Sequence, residues 1–161
     1  VNKLVKYIER TQIVFGVTFL VIFFLTVLLQ IVTRHLSISV IWTEEVANYS
    51  FVWAVFMGAA VMVNRRDHFN FDILQKKLGG KKKFFLNMLN DIILVLFNIT
   101  ILYFGIKVVQ KFWDYNWTAL PDMKMGYVWI SIPIMAITMI IYSLSHMLKH
   151  FERFRKGEAQ E

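Results

Sequence analysis

Four stretches of this chain carry almost no charge. Residues 11–33, 46–64 and 125–148 hold no Lys, Arg, Asp or Glu, and residues 84–106 hold one, Asp91. The hydrocarbon core of a bilayer is ~30 Å thick and an α-helix rises ~1.5 Å per residue, so about 20 apolar residues span it. Each stretch meets that length. In lipid, backbone N–H and C=O groups must be paired within the protein, which leaves helices and closed barrels. The stretches show no period-two alternation, and that excludes a barrel. The pattern predicts an all-α integral membrane protein. Its four transmembrane helices fall at about 11–33, 45–64, 84–107 and 126–148, in a single membrane domain covering 1–161.

Composition agrees. The chain is 57% hydrophobic and 18% charged over 161 residues, more apolar surface than a soluble domain of this size can hide. There is no cysteine, so disulfides, thiol nucleophiles and cysteine-ligated metals are excluded. The first apolar run is too long for a cleaved signal peptide and no small-residue cleavage site follows, so a retained anchor is expected.

The basic residues set the expected orientation. Lys3, Lys6 and Arg10 precede the first span; Arg65, Arg66, Lys76, Lys77, Lys81, Lys82 and Lys83 lie between the second and third; Lys149, Arg153, Arg155 and Lys156 follow the fourth. These segments share one side of the membrane, against Arg34, Lys107, Lys111 and Lys124 on the other. The positive-inside rule then places both termini in the cytoplasm. The net charge of +7 reads as this asymmetry plus attraction to phospholipid, and not as a nucleic-acid surface, because the bases flank helices instead of forming one face. Short amphipathic helices are expected on the cytoplasmic side at about 3–10, 70–78 and 146–156.

Several polar features need a reading. Glu44 and Glu45 open the second span behind Trp42 and Thr43. With Thr43 as N-cap, both acids lie in the first helical turn, where the helix dipole favours negative charge. One acid would suffice there, so the second is available to pair with Arg34 or with a partner protein. Ala47, Ser50, Ala54 and Gly58 recur at helical spacing, a small-residue face suited to close helix packing. In the third span Asn87, Asp91 and Asn98 share a face. An intramembrane acid is a candidate functional group, but Asp91 is eight residues past Lys83, close enough to the inner interface for simple structural pairing. His68 and Asp72 are four apart, yet two ligands without a third make a weak metal site. Trp113, Tyr115, Trp117, Tyr127 and Trp129 form an interfacial aromatic belt, and Pro133 is placed to kink the fourth span. The four histidines lie at helix ends, and no catalytic constellation is assembled, so an enzyme is not expected.

The ordered set Arg34, Trp42-Thr-Glu44-Glu45, Trp53, Phe56-Met-Gly58-Ala-Ala60 and His68-Phe-Asn-Phe-Asp72 resembles the small membrane subunit of TRAP (tripartite ATP-independent periplasmic) transporters, the DctQ-like family. A Pro usual before the Trp is replaced by Ile41, and a Gly often found before the His by Asp67. The resemblance implies a small non-catalytic scaffold in the bacterial inner membrane. It pairs with a large membrane subunit that holds the substrate and the sodium, so no cofactor is expected on this chain. A periplasmic substrate-binding protein delivers an organic acid of the dicarboxylate or sialic acid class. Arg34, Trp42, Glu44, Glu45, Gly58, His68 and Asp72 carry over as motif positions, with Ala54 and Asp91 as further docking or structural candidates. The polar end "GEAQE" suggests a polypeptide separate from the large subunit. The rival expectation is a self-associating channel or exporter that uses Asp91 as its polar site.

Overall fold

The computed structural model describes residues 2–65 and 80–155. They form α1 (Asn2–His35), α2 (Trp42–Arg65), α3 (Gly80–Phe112), the single-turn α4 (Gly126–Trp129) and α5 (Ser131–Arg155). Four of these helical stretches are long and apolar enough to cross a membrane: Lys3–His35, Trp42–Arg65, Phe84–Phe112 and Gly126–Glu152. The chain is an all-α, multi-pass membrane protein.

Two expected surface helices are not separate elements. Residues 3–10 are the first turns of α1, and Val5 there is buried against Ala60 and Val63 of α2. Residues 146–155 continue α5 without a break, with Leu148 and Phe151 exposed. The expected helix at 70–78, and with it His68 and Asp72, lies outside the described residues.

Local chemistry explains the helix ends. α1 closes in a Schellman cap: Ile38 N–H donates to Thr33 C=O at 2.9 Å and Ser37 N–H to Arg34 C=O at 3.2 Å. Ser37 takes the left-handed conformation this cap requires, at φ 58°. α2 begins at Trp42, one residue before the expected N-cap. Thr43 is therefore inside the first turn, fully buried, and its hydroxyl donates back to Val40 C=O at 2.8 Å. The fourth span breaks at Ile130, between α4 and α5. Pro133 has no N–H to give the Trp129 carbonyl four residues back, and the Ser131 hydroxyl takes the Val128 carbonyl at 2.6 Å.

The helices form an open row. α1 packs chiefly on α2, α3 chiefly on α5, and α2 against α5 joins the two pairs, in the order α1–α2–α5–α3. The α1 edge also touches α5. Burial follows this order: over the apolar middle of each span, half of the residues of the fourth and a third of those of α2 are buried, but only 11% of those of α1 and of α3. Lipid supplies no hydrophobic drive for helix association, so close contact rests on packing and buried polar bonds. Gly16 of α1 supplies the first: a Cβ there would meet Met57 Cβ at 3.3 Å, Ala54 O at 3.8 Å and Gly58 N at 3.9 Å. Gly105 of α3 does the same against α5, where a Cβ would come within 2.8 Å of Ile132 Cγ2. Gln12 supplies the second. It is 5% exposed, donates to Thr138 Oγ1 at 2.8 Å and accepts the Tyr142 hydroxyl, tying α1 to α5.

Candidate docking face at the loop end

One end of the row carries the end of α1, the start of α2, and the loop from Trp113 to Met125 (the loop face); both termini lie at the other. The loop is built, not slack. Met125 N–H donates to Tyr115 C=O at 2.7 Å and Trp117 N–H to Met123 C=O at 2.9 Å, while Lys124 pairs with Asp114 at 3.4 Å. The Trp113 ring lies over Gly126 so closely that a Cβ would overlap it. Trp117 packs on Tyr49 of α2 with ring centroids 4.4 Å apart.

Glu45 ties this loop to α2. One carboxylate oxygen accepts Thr118 N–H at 2.7 Å and the other accepts Ala119 N–H at 2.9 Å. Bonds of this kind to an ionised acceptor are among the stronger ones available to a protein. A second tie is Trp53, whose indole N–H donates to Tyr127 C=O at 3.1 Å while its ring stacks on Phe19 at 5.4 Å. The expected aromatic belt thus divides. Trp113, Tyr115 and Tyr127 are exposed, whereas Trp117 and Trp129 are half-buried with covered indole N–H groups.

Glu44 has a different position. It is exposed and lines a polar cleft of about 390 Å³ with Gln30, Thr33, Arg34, Ser37 and Ser39. Arg34 and Glu44 share this cleft without forming an ion pair, and neither pairs with another of the described residues. Trp42 is 40% exposed beside it. The two adjacent acids are therefore split: Glu45 is turned inward onto the loop, and Glu44 is left on the surface.

The small-residue face is split as well. Ala47 and Ser50 are buried, and Ala54 lies at the crossing with Gly16. The Gly58 α-carbon opens instead into an apolar groove of about 310 Å³ between α1 and α2, and a Cβ there would meet nothing within 4 Å. In α3, Asn87, Asp91 and Asn98 are all buried, as their shared face predicts. Asp91 Oδ2 lies 3.9 Å from His150 Nε2 of α5, near the termini end. At that same end, Glu9 accepts from Asn64 Nδ2 and Arg65 Nε, each at 2.9 Å, and His146 Nε2 lies 3.0 Å from Asn64 C=O. Among the described residues no three His, Asp or Glu side chains converge on a common point.

Sequence reasoning missed Glu9, Gln12, Gly16 and Gly105. The two glycines had a usable signal, since each interrupts a bulky apolar run, whereas Gln12 stands at the polar edge of the first run. Glu9 stands among the bases of the lead-in, and only the antiparallel return of α2 along α1 brings Asn64 and Arg65 to it.

A row of membrane-spanning helices with a built loop, and with no cluster of metal ligands among the described residues, narrows the comparison. The family described as "Tripartite ATP-independent periplasmic transporters, DctQ component" matches residues 23–153. The chain belongs to the DctQ family. It is a TRAP transporter membrane subunit and not an enzyme, and a multi-pass protein of the bacterial inner membrane. It is 26% identical over 136 residues, 84% of its length, to the sialic acid TRAP transporter permease protein SiaT of Haemophilus influenzae strain 86-028NP. It is 24% identical over 96 residues, 59% of its length, to a protein provisionally named TRAP transporter small permease protein in H. influenzae strain KW20/Rd. The chain spans 22% of the first relative's length and 60% of the second's. The DctQ match covers Arg34, Trp42, Glu44, Glu45, Gly58 and Asp91, as well as the whole loop face.

Proposed function

We propose that this chain is the non-catalytic scaffold of a sodium-driven, binding-protein-dependent secondary transporter for an organic acid. It pairs with a large membrane subunit that binds both sodium and substrate. Its termini are cytoplasmic, and its loop face meets the soluble binding protein in the periplasm. The observation that carries this reading is the exposure of the row's two edges, α1 and α3, with only 11% of the residues in the apolar middle of each buried. A path for a charged substrate needs polar groups lining a continuous passage across the bilayer, and the buried polar groups described above, Gln12 with Tyr142 and Asp91 with His150, close helix seams instead of lining one. The sialic acid permease among the relatives favours sialic acid over a dicarboxylate.

The rival, a self-associating channel built on Asp91, is less well supported. Asp91 is 4% exposed and faces His150 inside the α3–α5 seam of its own chain. A pore lined by it would require that seam to open.

The test is purification of the tagged chain from its native membrane, with its partners identified by mass. A large membrane subunit in fixed ratio is expected. Uptake of sialic acid and of a dicarboxylate is then compared in proteoliposomes of that complex, with and without a sodium gradient. Recovery of self-associated copies alone would overturn the scaffold reading.

A further inference from the structure

We infer that the loop end of α3 is a binding site for the phosphate of an anionic phospholipid, with Lys107 and Lys111 as its paired contacts. Both lysines are exposed on α3, and neither has an ion-pair partner among the described residues. Lys124, nearby on the loop, is by contrast committed to Asp114. Lys107 Nζ stands 4.3 Å from the centroid of the Tyr103 ring, and Lys111 Nζ 5.8 Å from that of Phe112. The rings hold the two ammoniums where α3 leaves the bilayer. Residues four apart on a helix have Cβ atoms about 5–6 Å apart, so both ammoniums reach one phosphate.

The surface below the lysines fits acyl chains and not another helix. Leu89, Ile93, Leu96, Phe97, Tyr103 and Phe104 are 45–61% exposed on the outward side of α3. At the spacing of a helix, Tyr103, Leu96, Ile93 and Leu89 continue the line of Lys107, and Phe104 and Phe97 that of Lys111. At the two largest helix contacts a glycine allows the approach: Gly16 at the α1–α2 crossing and Gly105 between α3 and α5. The outward stripe is bulky apart from Thr100, whose hydroxyl is turned back onto the Leu96 carbonyl at 3.1 Å. Two unpaired cations above such a stripe complement a phosphodiester above its hydrocarbon tails, by charge and by polarity alike.

The probe is phosphatidylglycerol, with phosphatidylcholine as the zwitterionic comparison. Each is titrated against the full chain in detergent, and retained lipid is counted by native mass spectrometry. The wild-type chain is expected to retain phosphatidylglycerol in preference to phosphatidylcholine. Lys107→Gln and Lys111→Gln should each weaken that retention roughly fivefold, the scale of one basic residue at an anionic membrane surface. The double variant should abolish the preference, Lys107→Arg with Lys111→Arg should restore it, and Lys124→Gln should leave it unchanged. Equal retention of the two lipids by the wild-type chain would overturn the inference, as would a preference surviving in the double Gln variant. So would loss of a co-purifying protein from the double Gln variant with lipid retention unaltered, because the lysines would then serve a protein partner.

Discussion

Glu45 accepts the backbone N–H of Thr118 at 2.7 Å, a bond that links the first turn of α2 to a loop 73 residues further along the chain. Its neighbour Glu44 makes no such contact and stays on the surface of the polar cleft. The pair therefore separates by experiment. Glu45→Ala should release the loop, at a cost of roughly 1.5–3 kcal/mol for bonds to a charged acceptor. Amide exchange at Thr118 and Ala119 should accelerate by ten-fold or more, while Glu44→Ala leaves both amides protected. Equal protection in the two variants would remove Glu45 from this role.

Gln12 and Tyr142 meet inside the protein, with Thr138 as the second partner of Gln12. Gln12→Leu strands the Tyr142 hydroxyl in an apolar seam and should destabilise the fold by about 1–3 kcal/mol. Tyr142→Phe removes the stranded group. The double variant should therefore be less destabilised than the sum of the single ones, with coupling of about 0.6–1.7 kcal/mol, the range for polar pairs between membrane helices. Unfolding of the full chain in mixed detergent measures all four corners of the cycle. Simple additivity would mean that the two side chains do not act together.

Glycine positions give a sharper contrast. Gly105→Leu drives side-chain atoms into Ile132 and should part α3 from α5, lowering the thermal midpoint of the isolated chain. Gly58→Leu projects into the open groove and should leave that midpoint within a degree or two. If Gly58→Leu nevertheless prevents co-purification with the large subunit, the groove receives that partner. If both properties are retained, the groove faces lipid.

Orientation is open to direct labelling because the chain lacks cysteine. Asp122 is exposed on the loop face and Lys3 is exposed at the other end. In intact cells with a permeabilised outer membrane, an impermeant maleimide should label Asp122→Cys at once and Lys3→Cys only after lysis. The reverse pattern would invert the proposed topology.

The spans could be read in the sequence because lipid leaves a chain few options. A charge-free run of about 20 residues in a bilayer has to be a helix. The buried face of Asn87, Asp91 and Asn98 was legible for a related reason, since helical spacing alone places the three together. Other features depended on what lay opposite. Ala54 and Gly58 look equivalent in the sequence, and Gly16 approaches the backbone of both, yet a Cβ at Gly58 would meet nothing within 4 Å because its α-carbon faces the open groove. Thr43 looked like a cap until Val40 offered its carbonyl. Glu45 could not be told from Glu44 without the loop, whose backbone amides lie beyond any local pattern.

The α1–α2–α5–α3 order has a hydrodynamic consequence. Packed helices stand about 8–10 Å apart, and α1 bends back to touch α5, so the bent row reaches roughly 30 Å across the plane of the membrane, and four in a square roughly 20 Å. In a viscous sheet the drag on rotation about the normal grows with the square of lateral radius. A plank of helices therefore turns more slowly than a compact cylinder of equal mass. Bound edge-on to another body, it lends that body its resistance to spinning, and it does so without any moving part of its own.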